Sequence, residues 1–373
     1  MVVLFGGGHA GAVSEDVWKE AELQGVLPLV WGVQENAAAA ERAMHIMKKS
    51  IQVNAAHAEI QGILGDDCTV IKGCASARYY PEPGYRTMGD VDVLVSDPDA
   101  ADARMTANGW KRLPDTSRHH HNYEKNGIKC EVHIELPGIP GGQTGEKVRK
   151  AVSDLQETAV SVDMGFGTLR VPDDRCHGVI LLLHMAHHIQ SSGFGLRHLC
   201  DWAVFTDRVP DFPKLMQKTL EDIGLWNAAC VFTALCTRYL GLPEQPWCGA
   251  YPDAFLQPLM DEIERTGNFG QKSPHDLRGH FFTVTENGLE RRKGIAGIFS
   301  LANQVTRSYW PIARRCPLVL PAGWVVFGAK YLARLLRGKR QNVLLGLRLS
   351  RQQHALYKRL RLFEGGRPDE TEI

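Results

Sequence analysis

Residues 70–96, VIKGCASARYYPEPGYRTMGDVDVLVS, decide how this chain is read. A short apolar run ends in Lys72-Gly73, a Pro/Gly-rich turn follows, and Arg86 leads into Gly89-Asp90-Val91-Asp92-Val93-Leu94-Val95. On a β-strand, residues two apart point to the same side. Asp90 and Asp92 therefore share one face, and Val91, Val93 and Val95 occupy the other. Two carboxylates side by side repel each other, and burying them unpaired is costly. A hard divalent cation, Mg2+ or Mn2+, relieves both penalties.

Outward from this stretch the pattern alternates between strand and helix. Residues 35–64 are Ala-rich and free of proline, and Met44, Met47, Ile51, Ile60 and Ile63 recur at helical spacing, which predicts an amphipathic helix. Cys68–Ile71 reads as a strand and 72–80 as a short helix stopped by Pro81-Glu82-Pro83-Gly84. Asp90–Val95 is the next strand, and Ser96-Asp97-Pro98-Asp99 caps a helix running to about Asn108. Asn126-Gly127 marks a hairpin leading into 128–136, and 169–172 is a last short strand. From 174 to 265 long helical runs dominate, which places a boundary near Pro172. In KCEVHIEL (129–136), Glu131, His133 and Glu135 share a polar face. Glu131 is the expected third carboxylate beside Asp90 and Asp92, with His133 the second choice.

The chain's 373 residues suffice for two or more modest domains, and 44% apolar with 23% charged residues is ordinary for a globular protein. Nine cysteines, an odd number without a C-x-x-C pair, argue for reduced thiols and a cytoplasmic location. No apolar run is long enough to span a bilayer, and the MVVLFGGGHAG start has neither the basic nor the apolar region of a signal peptide. Gly6, Gly8 and Gly11 satisfy G-x-G-x-x-G, but no second strand closing on an acid follows at the right distance; a flexible leader is expected.

Two histidine groups compete for attention. His119-His120-His121 reads as a solvated loop, because three successive residues do not easily converge on one ion. His184, His187 and His188 share a helix face at a spacing that zinc sites use, yet no H-E-x-x-H is present. A packed helix whose histidines line an acceptor cleft is favoured. Arg197 and Asp201, one helical turn apart, either pair with each other or face that cleft. In the tail, 330–362 holds ten Lys/Arg and no acid, interleaved with leucines, after the apolar PLVLPAGWVVFG (317–328). A basic amphipathic helix there either docks on the protein body or makes peripheral contact with a membrane or another anionic surface.

Lys72-Gly73, the Tyr80-Pro81 turn, Arg86, Gly89-Asp90-Val91-Asp92 and Glu131-Val132-His133 together resemble the uncharacterised bacterial nucleotidyltransferases of the polymerase-β-like superfamily. VWKEA (17–21) with GVLPL (25–29), GFGLRHLCDW (193–202) and TGNFG (266–270) are similar to further motifs of that family, so the resemblance covers roughly 17–325. It implies an α+β fold: a small mixed sheet with flanking helices (67–173), an N-terminal helical segment (1–66), a mainly helical domain (174–325) and the basic extension (326–373). It also implies transfer of NMP from an NTP such as ATP to a hydroxyl-bearing acceptor (small molecule, protein or RNA), with release of pyrophosphate. Asp90, Asp92 and Glu131 would be the catalytic metal ligands. Lys72, Gly73, Cys74, Ser76, Arg86, Gly89 and His133 would hold the nucleotide, and His184, His188, Arg197 and Asp201 would face the acceptor. Where the superfamily has Gly-Gly or Gly-Ser, this chain has Gly73-Cys74. The rival readings are a toxin-like enzyme modifying RNA or tRNA, a non-catalytic nucleotide-binding protein of the same fold, and a zinc hydrolase built on the His184 helix.

Overall fold

Local signals start most of the elements that position the site. The structure is a computed structural model describing residues 13–32, 37–114, 119–190, 194–268, 272, 282–285, 288–291, 299–300, 302–303, 305–307, 310, 312–336 and 343–364. The glycine run at 6–11 lies outside the described residues. Glu15–Leu23 (α1) and Leu27–Trp31 (α2) precede the long Ala37–Leu64 helix (α3). Then come Cys68–Val70 (β1), the single turn Cys74–Ala77 (α4), Val91–Val95 (β2) and Pro98–Ala107 (α5). Asp97 caps α5, its Oδ1 accepting from the Asp99 and Ala100 amides at 3.1 and 2.9 Å. Lys111–Arg112 (β3), His120–Lys125 (β4) and Ile128–His133 (β5) complete a five-stranded mixed sheet in the order β1-β2-β5-β4-β3. Asn126 and Gly127 both have positive φ (52° and 77°), as a two-residue hairpin requires. That turn fixes the β4–β5 register, pairing His120 with His133 and Asn122 with Glu131.

Strand β2 lies antiparallel to β1 and parallel to β5, with Asp92 opposite Glu131. Val91, Val93 and Val95 are buried beneath the sheet with Val53, Ile60 and Leu64 of α3. The α3 stripe differs from the one its large apolar residues suggest. Met44 and Ile51 are 55% and 66% exposed, while Ala43, Ser50, Val53, His57, Ile60 and Leu64 face inward. The buried stripe recurs every three or four residues but passes through small and polar side chains, which hydropathy alone underweights.

Gly142–Ala151 (α6) and Leu155–Thr158 (α7) lead to a two-stranded sheet, Val160–Asp163 (β6) with Thr168–Val171 (β7). The helical part follows as Asp174–Gln190 (α8), Leu196–Arg208 (α9), Phe212–Asp222 (α10), Trp226–Leu235 (α11) and Asp253–Thr266 (α12). These helices pack around Trp202, Phe205 and Phe232 in a second core that also takes in Trp18, Leu27 and Leu29 from the N-terminal helices. The remaining elements are a hairpin of Phe282–Thr285 (β8) and Gly288–Arg291 (β9), then Ile312–Arg315 (α13), Leu320–Leu336 (α14) and Val343–Lys358 (α15). The two halves of the basic tail behave differently. From the last turn of α15 onward, Tyr357, Leu360, Leu362 and Phe363 are buried in the helical core, and Asn227 Nδ2 donates to the Arg359 and Leu360 carbonyls at 3.1 and 3.0 Å. Helix α14 instead leaves most of its surface in solvent.

Candidate active site

One face of the five-stranded sheet and the helices α8 and α9 border a cavity of about 340 Å3. Its sheet wall carries Lys72, Asp90, Asp92, Glu131 and His133; its helical wall carries His184, His187, His188, Arg197 and Asp201. Gly73, Ser76, Arg86 and Gly89 also border it, so every expected site residue except Cys74 lines one space. Cys74 is turned into the core, its thiol donating to Asn54 Oδ1 at 3.4 Å, and burial pushes that thiol up to about 12.

Asp92 is the centre of the sheet wall. It is 5% exposed, and its Oδ1 accepts from Lys72 Nζ at 2.7 Å and pairs with His133 Nε2 at 2.8 Å. Burial alone would raise its carboxyl, but the Lys72 charge and the His133 hydrogen bond win and hold it well below the usual carboxylate range. Burial likewise disfavours the cationic forms of Lys72 and His133, and Asp92 overcomes it, so both groups are raised. His133 Nε2 also lies 3.4 Å from Glu131 Oε2; burial opposes ionisation of Glu131, and this contact lowers it on balance. Asp90, just before β2, is raised by desolvation and then by the negative charges of Asp92 and Glu131. The three carboxylates thus line one wall of the cavity, where burial first and then the charges of Asp92 and Glu131 raise Asp90, and Lys72 is bonded to Asp92. A divalent cation fits that donor set: hard oxygens, excess negative charge and an open side at the exposed Asp90.

Gly73 has φ 60° and ψ −105°, and a Cβ there would come 3.4 Å from the His57 ring. Glycine is required for the sharp turn from β1 into α4. The Ala75 and Ser76 amides bond back to the Lys72 and Gly73 carbonyls within this turn, at 3.2 and 3.1 Å. Ser76 Oγ lies 3.4 Å from His177 Nε2.

Arg86 finds its partner on α9. Its Nε and Nη2 donate to the two oxygens of Asp201 at 2.8 and 2.7 Å, and Tyr80 OH donates to Asp201 Oδ1 at 2.8 Å. All three side chains are buried. This fork ties the turn before β2 to α9, so the Arg86 charge is already matched inside the protein. Asp201 is accordingly Arg86's partner, and Arg197 Nη1 donates to the Thr87 carbonyl at 3.3 Å. Burial lowers Arg197 to about 10.

The helical wall is built of imidazoles. His184 and His188 on α8 and His198 on α9 have ring centroids 4.4 to 5.1 Å apart, with ligand atoms within 4.8 Å of one another. Burial holds all three well below the ordinary histidine value, so they are neutral. His198 Nδ1 accepts from the Gly195 amide at 3.3 Å, and the charges of Lys72 and Arg197 depress the cluster further. Nearby cations oppose a dipositive ion there, which favours a packed imidazole wall over a zinc centre.

His120 corrects the solvated-loop reading of 119–121. It lies on β4, half-buried, in the cavity, with its ring 5.2 Å from that of His133. His120, Glu131 and His133 bring ligand atoms within 4.8 Å of one another. The signal was present in the sequence: an Asn126-Gly127 turn pairs 125 with 128, and counting back places 120 opposite 133. Gly138, also in the cavity lining, was unforeseen. A Cβ there would meet the Leu183 carbonyl at 2.5 Å, so only glycine lets this loop lie against α8.

A family model of uncharacterised nucleotidyltransferases matches residues 15–241. The chain belongs to that family. The match begins at α1, ends just past α11, and contains every cavity side chain named above. Comparisons with curated proteins and with solved structures give no match. The nucleotidyltransferase domain therefore includes both walls of the cavity, sheet and helices together.

Proposed function

We propose that this nucleotidyltransferase moves NMP from an NTP to a hydroxyl-bearing acceptor, on a polymerase-β-like core that uses Mg2+ or Mn2+. The observation that carries the reading is the register Asp92 opposite Glu131 on parallel neighbours, with Asp90 at the strand entrance and Lys72 on Asp92. Asp90, Asp92 and Glu131 would hold the metal, which when bound supplies positive charge for the triphosphate and for the developing pyrophosphate. In the reaction the acceptor oxygen bonds to the α-phosphorus and the bond from that phosphorus to pyrophosphate breaks. The hydroxyl proton passes to solvent at the open side of the cavity, beside Asp90. Lys72 remains cationic because Asp92 raises it, so it contributes fixed positive charge at the nucleotide. Arg86, committed to Asp201, positions the turn before β2 rather than binding phosphate. The imidazole wall and Arg197 face the acceptor across the cavity.

The test is incubation of the full chain with each α-phosphate-labelled NTP and Mg2+ or Mn2+, against metabolite, protein and RNA pools. Label appearing in one pool with pyrophosphate release supports the reading and identifies the acceptor class; label in RNA selects the toxin-like alternative. Nucleotide binding with no transfer to any pool would leave a non-catalytic protein and overturn it.

A further inference from the structure

Helix α14 is apolar on two opposite sides. Toward the protein, Leu320 and Gly323 are buried, Trp324 Nε1 donates to Asn303 Oδ1 at 3.0 Å, and the Phe327 ring packs 5.6 Å from that of Trp310. These positions recur every three or four residues and form one stripe. The other side carries a second: Leu318 in the preceding turn, then Ala322, Val325, Ala329, Leu332 and Leu336, spaced by four and three residues. Leu318, Val325, Leu332 and Leu336 are 89%, 73%, 54% and 80% exposed, and the two alanines are exposed as well. Single exposed leucines are common on protein surfaces. A whole stripe at helical spacing signals a surface meant for an apolar medium or partner.

Charge selects among the occupants. From Arg291 to Phe363 the sequence has sixteen Lys/Arg and no Asp or Glu. A second copy would bring two such segments together, which like-charge repulsion opposes. An anionic bilayer offers both an apolar layer for the stripe and phosphates for the cations. Within α14 the charged residues are Lys330 and Arg334. Lys330 is exposed on the flank of the stripe, its ammonium 5.5 Å from the Phe327 ring, and its long stem would let that ammonium turn to headgroups. No helix among the described residues is long and apolar enough to cross a membrane, so the helix would lie in the plane of the interface.

We propose that α14 docks this protein on an anionic membrane surface, inserting Leu318, Val325, Leu332 and Leu336 among the headgroups. The test is co-sedimentation of the full chain with phosphatidylcholine vesicles, with and without phosphatidylglycerol, alongside sedimentation velocity without lipid. The protein should pellet with the phosphatidylglycerol vesicles and stay in solution with phosphatidylcholine alone, and high salt should weaken binding. Val325→Asp with Leu332→Asp, both at exposed positions, should weaken binding by about tenfold or more while the unfolding transition stays unchanged. Should that variant unfold, Lys330→Glu provides the second test, expected to weaken binding in the same direction. Equal partition with and without phosphatidylglycerol overturns the proposal, as does undiminished binding by a folded variant. A concentration-dependent dimer that the double variant abolishes, without vesicle binding, assigns the stripe to a second copy instead.

Discussion

The two walls of the cavity bury polar groups by opposite means. On the sheet wall, Asp92 and Lys72 keep their charges and His133 is raised, because they pair at 2.7 and 2.8 Å and pairing opposes burial. On the helical wall, His184, His188 and His198 pack against one another, and burial keeps them neutral. One wall is thus built of ion pairs, and the other sets neutral imidazoles beside the buried Arg197 and the Arg86–Asp201 fork. The contrast shows how a buried polar residue's chemistry follows from its partners rather than from burial alone.

The largest expected effect strikes the charged wall. Asp92→Asn removes the anion that Lys72 and His133 share, so transfer should fall on the order of 1000-fold or more. Stability should also fall by about 3 to 5 kcal/mol, because a buried charge network loses one member. Steady-state transfer and urea unfolding measure the two effects separately. Next comes the tie between the walls. Arg86→Met leaves Asp201 buried with Tyr80 but without its cation, and should cost about 3 to 5 kcal/mol in urea unfolding. If Arg86 were instead a phosphate ligand, the same variant would keep its stability and raise the KM for NTP.

Acid should expose the histidines that burial keeps neutral. His57, beneath Gly73, is lowered from 6.5 to about 4 by burial. A histidine whose folded value is depressed contributes stability that is present above 6.5 and is lost as pH falls toward the folded value. Between pH 6.5 and 4 the protein should lose about 3 kcal/mol through His57 alone, and His57→Gln should flatten that part of the profile. His133 has the opposite sign: its raised value stabilises the fold below 6.5, and that contribution disappears as pH rises through the folded value. The smallest effect is at His120, which touches the site from the side. His120→Ala should lower transfer by about tenfold with stability little changed.

The charged wall was legible because its determinants are local. Asp90 and Asp92 lie two apart on one strand, and Glu131 and His133 two apart on another, so strand alternation alone puts each pair on one face. What sequence could not supply is distance between elements: that Asp201, 115 residues from Arg86, completes its fork, or that His198 joins the His184 pair from the next helix. His120 is hidden for a different reason: three adjacent histidines read as a solvated loop unless the Asn126-Gly127 turn is used to count strand register. Hydropathy points to the wrong α3 stripe, since its inward positions include Ala43, Ser50 and His57, while Met44 and Ile51 are exposed.

Asp90 gives the most direct test of the proposed chemistry, because it is exposed at the strand entrance, where substitution threatens the fold least. The measurement is transfer of α-phosphate label from NTP to acceptor by the wild-type chain and by Asp90→Asn, each verified as folded by circular dichroism. The account predicts a folded variant that transfers no detectable label. Wild-type transfer by folded Asp90→Asn would contradict it.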